Sequence, residues 1–433
     1  MATILDVFND DCWRLVLDWL HTDDIIRSER VSRDWQAAIY RYLECVGMSI
    51  EYGTRPNLWY GHNQVFPYNY RILRIEEENP EILNNLIQKW GPCVKKADCV
   101  NSTMEVIRKR CPNIKDITCY EVKNEVLLSA SSEISLKNLK CVHFKGCDKL
   151  TDKCVRVWLG NFNIEELCVW EADVTGSFLV SPRSRNLKSL SIKDCKRLHL
   201  RCLFAATKHL KQLKKLELIY TNKLIIRNVH KLLDELPDLE DLSLRWEKRL
   251  QLGYDWAEAV GRMKLRRLDL SFNPNVNEGT LARACRGFGQ MNELLFERCA
   301  GLTGPGVVMA CKAAGPALQG VQLSSNTQLY DSCIKDIAEA CPNLKWLDLS
   351  FCHGITTYVL EYVANARVDR NNKLRVIVEC TYVEELEEGA FPWLIVEYGA
   401  YITSPYSFPC DIKKKPPPVD VTASQQGLQN TSI

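Results

Sequence analysis

The sequence predicts an α/β solenoid, a stack of parallel strands and helices, with a three-helix module ahead of it. Two observations predict this. An apolar pattern L-x-x-L-x-L recurs from Ile114 to Leu344 at steps of 23 to 27 residues. Residues 4–43 carry apolar residues at helical spacing instead, with helix-start signals between the runs.

The N-terminal stretch comes first. Asn9 or Asp10 caps a helix whose apolar Cys12, Leu15, Val16, Trp19 and Leu20 fall on one face. Thr22 with Asp23 and Asp24 opens a second helix, its carboxylates where the helix dipole favours them. That element carries Ile25, Ile26 and Val31, and a continuation holds Trp35, Ile39 and Tyr42. A bundle this short has a marginal core and must lean on something else. Residues 1–45 are therefore a helical domain. Residues 46–92, aromatic-rich and outside the period, are a linker region packing on the first repeats.

The repeat array follows over 93–383. Its units begin at Ile114, Leu139, Ile164, Leu187, Leu213, Leu239, Leu265, Met291, Leu318 and Leu344. A looser copy starts near Leu374, and a degenerate one spans Val94 to Cys99. In NLKSLSIKDCKRL (186–198), Leu190 and Ile192 point to the same side of a short strand and enter the core. Eight residues after the first apolar position a small polar or sulfur residue recurs: Cys147, Cys195, Asn273, Cys299, Asn326 and Cys352. At this turn Asn satisfies exposed backbone groups well and Cys weakly. The rest of each unit is helix-like, as in YDSCIKDIAEAC (330–341). No unit buries its own apolar face alone, but stacking buries all of them. Residues 384–409 read as an end cap and 410–433 as a disordered tail, whose Lys413–Lys415 run is a solvated linker before it is a nuclear signal.

Composition excludes several functions. The net charge of +2 gives no reason to expect nucleic acid or an anionic membrane as partner. No apolar run reaches membrane-spanning length, and the acidic N-terminus does not resemble a signal peptide, so a cytoplasmic or nuclear location is expected. Twenty cysteines suggest disulfides or zinc, but there is no C-x-x-C and the seven histidines are scattered. The cysteines are packing residues of the repeat, and neither a metal nor a cofactor is expected. No P-loop, G-x-G-x-x-G, G-x-S-x-G or H-E-x-x-H supports an enzyme.

Here the chain resembles a known family. C-P-N-L-K-x-L-x-L at Cys341–Leu349 and C-P-N-I-K-D-I at Cys111–Ile117 resemble the cysteine-containing leucine-rich repeat of F-box proteins. Ala172, Thr221 and Glu247 depart from it at the Cys/Asn position. The N-terminal module is similar to the F-box. Phe8 takes its leading Leu position, Asp24-Ile25 its Asp-Leu pair, and Val31-Ser32-Arg33-Asp34-Trp35 its V-C-R-x-W. Asn9, Asp11, Trp13 and Ser32 replace the usual Pro, Glu, aliphatic and Cys residues.

The resemblance implies a horseshoe solenoid. It also implies a substrate-recognition adaptor of a Skp-cullin-F-box ubiquitin ligase, serving ubiquitin-dependent proteasomal degradation. Partners would be a Skp-type adaptor, through it cullin and RING subunits, and a target protein. The docking residues for the adaptor would be Phe8, Trp13, Val16, Leu17, Leu20, Ile25, Ile26, Val31 and Trp35, with internal packing as their alternative role. Strand register places Trp170, Lys193, Tyr220, Arg245, Trp246, Arg267, Asp269, Phe272, Arg298, Trp346, Asp348 and Phe351 on the concave face. Its aromatic and Arg members are candidates for target binding, as hot-spot residue types. Their alternative role is packing against one another or beneath the C-terminal segment. Two other readings stay open: a binding scaffold or inhibitor without a ligase, and a repeat domain whose surface is shaped by a small molecule.

Overall fold

The structure, a computed structural model, describes residues 10–52, 71–75, 80–132, 136–147, 149–220, 229–245, 253–367, 373–379, 381–384 and 390–398. Among them one parallel sheet runs through the whole array. Its strands are β1 (Met48–Tyr52), β2 (Arg71–Ile75), β3 (Val94–Cys99), β4 (Asp116–Tyr120), β5 (Cys141–Lys145), β6 (Glu166–Trp170), β7 (Ser189–Lys193) and β8 (Lys215–Ile219). β9 (Asp241–Arg245), β10 (Arg267–Asp269), β11 (Glu293–Leu295), β12 (Gly320–Gln322), β13 (Trp346–Asp348), β14 (Leu374–Ile377) and β15 (Leu394–Glu397) continue it. From β3 to β15 each strand pairs with the next in the chain, while β1 lies between β2 and β3. From β2 to β14 each return carries a helix or 3-10 turn, as parallel pairing favours.

Register turns the sequence pattern into columns. Ile117, Val142, Leu167, Leu190, Leu216, Leu242, Leu268, Leu294, Val321, Leu347 and Val376 are successive partners. All are fully buried in one continuous core. A buried side chain of this kind contributes about 1.5–3 kcal/mol, and each needs a neighbour on either side to be covered.

The residue before the Cys/Asn position takes a left-handed backbone in repeat after repeat: Glu121, Glu171, Asp194, Tyr220, Phe272, Arg298, Ser325 and Phe351, with φ from 47° to 65°. Gly146 fills the same place at φ 62°. A non-glycine residue pays about 1–2 kcal/mol for this conformation. The return is a hydrogen bond that extends the ladder past the strand. Tyr220 N–H donates to the Arg245 carbonyl at 3.1 Å, and Phe351 N–H to that of Glu379 at 2.7 Å.

The Cys/Asn side chain then closes the turn against the preceding repeat. Asn326 Nδ2 donates to the carbonyls of Phe296 (2.7 Å) and Leu323 (2.8 Å), and Asn273 Nδ2 to those of Leu244 (2.6 Å) and Leu270 (2.7 Å). The thiols do the same at longer range, Cys352 to Leu323 at 3.1 Å and Cys195 to Val169 at 3.7 Å. These cysteines are buried, and Ala172, which lacks the function, is buried as well.

The N-terminal helices are Asp10–Leu17, Thr22–Ser28 and Arg33–Val46. Ser32 stands where the resembled family has Cys, and it caps the third helix by accepting from Trp35 N–H at 3.0 Å. Trp13 meets Trp35 edge-on at 5.0 Å, and Tyr42 Oη donates to Asp18 at 2.7 Å. This module has no core of its own. Leu17, Ile25, Ile39 and Leu43 belong to the same buried cluster as the repeats. Tyr40 stacks on Trp90 at 6.1 Å, and the third helix passes through Gly47 (φ 89°) directly into β1.

The region read as a linker therefore contributes sheet. β1 pairs with β3 through Met48↔Val94 and with β2 along five residues, and the Pro80–Trp90 helix follows. Its strands lack the L-x-x-L-x-L spelling, and 46 residues separate Met48 from Val94, so the period misses them. At the other end β15 adds to β14, with Arg375 in a bidentate pair to Glu397 at 2.7 and 2.8 Å. The tail expected over 410–433 lies outside the described residues.

Candidate functional site

Two surfaces carry the candidate residues. On the N-terminal module Trp13, Leu17 and Ile25 are buried at 4%, 0% and 0%, so these three are internal packing residues and not a docking surface. Trp13 and Leu17 lie one turn apart on the inner side of their helix. Leu20, Ile26 and Trp35 are half-buried, and Trp35 is further held by its indole N–H to Ser28 Oγ at 2.9 Å. Phe8 lies outside the described residues. Val16 (39%) and Val31 (70%) are exposed, and so are Leu15 (68%) and Trp19 (88%), which were not chosen as docking residues. Their signal was present: an apolar run with more members than a three-helix core can cover. This leaves Leu15, Val16 and Trp19 exposed along the first helix and the turn after it, and Val31 exposed in the turn ahead of the third helix.

The second surface is the strand face away from the buried columns. Tyr220 and Phe272, expected to project from it, are buried at 9% and 7%. Their rings meet at 6.1 Å, and the guanidinium groups of Arg245 (5.4 Å) and Arg298 (5.8 Å) lie over Phe272. The aromatic candidates Tyr220 and Phe272 thus form a packed cluster in this stretch, their rings meeting from repeats on either side of β9. Trp170 is buried at 8%, and Trp346 and Phe351 are half-buried. Trp346 lies across Gly320, where a Cβ would come within 2.2 Å of the indole. Trp246 lies outside the described residues.

What does cover this face is charge. Arg267 lies 3.0 Å from Asp241, 3.6 Å from Asp269 and 3.2 Å from Glu293. Arg245 bridges Asp269 (3.2 Å) and Glu297 (3.1 Å). Glu217 takes Lys193 and Lys215, each at 3.0 Å, and Ser191 Oγ at 2.7 Å. Burial alone would raise the Glu217 carboxyl, but Lys193, Lys215 and Arg267 hold it well below the usual range. At Glu297 burial wins over Arg245 and pushes the carboxyl up to about 7. Apart from Lys215–Glu217 and Arg267–Asp269, which are two residues apart, the partners stand 24 to 52 residues apart in sequence, beyond any local window.

Toward the first repeats the balance differs. Burial pushes Asp98 up to about 6 and Asp116 up to about 7, against the opposing pull of Lys96. His143 Nε2 stands 3.7 Å from Asp116 and 3.9 Å from Glu166. Burial, then Lys145 and Lys96, hold His143 well below its ordinary value, so it is neutral and pairs with neither. A carboxyl raised on folding stabilises the fold when protonated, and that contribution is lost as pH rises through about 7. Asp116→Asn is expected to raise the melting temperature by about 2–6 °C near pH 8 and to have little effect near pH 4. Equal shifts at both pH values, read by thermal unfolding, would show that Asp116 is not the group responsible.

Burial pushes the thiols of Cys195, Cys299 and Cys352 up to about 12. Among the described residues no helix is long and apolar enough to cross a membrane, and no group of three or more metal-ligating side chains converges.

Comparison with known proteins adds the fold. No family model matches the chain, and no curated protein matches it. Among solved structures it is similar to yeast Rad7 in the Rad7–Elc1 complex, with a TM-score of 0.55 at 16% identity over 72% of this chain and 83% of that one. It also aligns with mouse RP105 in the RP105/MD-1 complex (TM-score 0.34, 14% identity, 72% and 57% covered). TLR13 in a complex with ssRNA13 aligns at TM-score 0.32 and 12% identity, with 72% and 55% covered. The first of these and the parallel ladder agree: the chain folds as a leucine-rich-repeat solenoid.

Proposed function

We propose that this chain is a non-enzymatic substrate-recognition adaptor of a Skp-cullin-F-box ubiquitin ligase. Its N-terminal module would bind a Skp-type adaptor, and its repeats would hold a target protein for ubiquitin-dependent degradation. The observation that carries the reading is the exposure of Leu15, Val16, Trp19 and Val31 on the module that resembles an F-box. Large apolar side chains grouped on a surface mark a protein-binding site, and Trp is the residue type most enriched in hot spots. Rad7, which shares the fold, was solved with a protein partner, Elc1, and this supports a role in protein assembly.

Deleting the module is a poor test, because its core is continuous with that of the repeats. Trp19→Glu and Val31→Glu alter only exposed positions. With full-length protein and a purified Skp-type adaptor, each is expected to weaken binding about 30-fold or more while leaving the melting temperature within about 2 °C. Failure of the unaltered chain to bind the adaptor would end the ligase reading and leave a binding scaffold.

A further inference from the structure

Lys95 within β3 and the residue just ahead of each strand from β4 to β10 form a column of their own. Lys115 N–H donates to the Lys95 carbonyl, Lys140 to Lys115 and Glu165 to Lys140. The chain of bonds goes on through Lys188, Lys214, Glu240 and Arg266, every step between 2.7 and 2.9 Å. These eight residues therefore stand in one row, about 4.8 Å apart and about 34 Å end to end. Six are basic and two acidic, a surplus of four positive charges. Each glutamate is shared by two cations. Glu165 holds Lys140 (2.6 Å) and Lys188 (2.7 Å), and Glu240 holds Lys214 (3.1 Å) and Arg266 (3.5 Å).

The cations are accessible. The side chains of Lys140, Lys188, Lys214 and Arg266 are 48%, 55%, 51% and 62% exposed. Lys137, Arg185 and Lys211, each two residues ahead of a first apolar position, are exposed and add to the same sign. The next column carries no such surplus. There Lys96, Lys215 and Arg267 are matched by Asp116, Glu166 and Asp241. The chain as a whole, at +2, hides a strongly basic rim.

We propose that this rim binds an extended acidic segment of the captured protein, a deepening that rests on the capture role of the repeats. A fixed row of cations attracts a polyanion and steers its approach. Glu165 and Glu240 decide between polyanions. A nucleic-acid strand carries charge at every step and meets repulsion at both, whereas a polypeptide can place neutral or basic residues there.

Full-length protein titrated with a short labelled peptide of glutamates interrupted by serine and glycine tests this, beside an oligothymidylate of equal charge. The peptide is expected to bind, to weaken about tenfold as salt is raised from low to physiological strength, and to outcompete the oligonucleotide. The triple variant Lys140→Gln, Lys188→Gln, Lys214→Gln is expected to lose about tenfold or more in affinity, while Lys345→Gln, beyond the basic run, loses none. If the triple variant does not fold, Lys188→Gln and Lys214→Gln are read singly, each about twofold to threefold weaker. No peptide binding at low salt, undiminished binding by the variants, or preference for the oligonucleotide would overturn the proposal. The adaptor-binding measurement uses a different surface, so failure of the ligase reading and failure of the rim are separately visible.

Discussion

Arg245→Ala is expected to cost about 3–5 kcal/mol, the largest effect of any single substitution on the strand face. The guanidinium is buried between Asp269 and Glu297 and also covers Phe272. Removing it strands two carboxylates in a poorly hydrated place. Asp269 keeps Arg267 at 3.6 Å and Ser243 Oγ at 3.2 Å, but Glu297 loses its guanidinium partner. The loss should grow with pH. Without Arg245 the Glu297 carboxyl, already raised by burial, rises further, and Asp269 loses the first of the cations that hold it low against burial; both changes destabilise the fold increasingly as pH climbs. Urea unfolding of Arg245→Ala at about pH 5 and about pH 8 measures this, with the greater loss at the higher pH. Arg245→Met with Glu297→Gln should recover part of the loss, because only Asp269 is then left charged. A loss below about 1 kcal/mol at neutral pH would mean that the charge network contributes little to stability.

Asn326→Ala should cost about 3 kcal/mol or more. Its amide satisfies the carbonyls of Phe296 and Leu323, and its Oδ1 accepts Cys299 N–H at 3.0 Å. All lie in buried surroundings, where each unpaired backbone group costs about 1–3 kcal/mol. Asn326→Cys should cost less than half as much, since Cys352 reaches Leu323 from the equivalent turn. Comparison of the two by chemical denaturation separates hydrogen bonding from filling of the space. Equal losses would assign the position to packing alone.

The sequence was most legible where one residue type answers one local requirement. Leu190 and Ile192 alternate along a strand and are buried, and Cys195, Asn273, Asn326 and Cys352 each close off a carbonyl at the same turn, where Ala172 does not. The degenerate Val94–Cys99 and the looser Leu374 copy are both strands, so the period was a reliable guide to backbone even where spelling was poor. It failed at β1 and β2, which join the same sheet without the repeat's pattern. It was also silent on which apolar residues of the N-terminal helices face inward. Trp13 and Leu17 do, whereas Leu15 and Trp19, equally apolar, do not. Helical spacing defines a face, but only the third helix and the first repeats decide which face is covered.

By itself the sequence determined the repeat, its strand-and-helix plan, the buried columns and the reason for the recurrent cysteines. These are short-range matters, set by side-chain alternation and turn chemistry within one unit. Tertiary structure alone decided which charges meet and where they accumulate. Lys188 and Lys214 are 26 residues apart in the chain and adjacent in the row. Coulomb energy depends on distance in space, so a nearly neutral chain can hold a basic rim. The same dependence on distance in space took Tyr220 and Phe272 off the open face: they are 52 residues apart, yet stacking of the repeats around β9 brings their rings together.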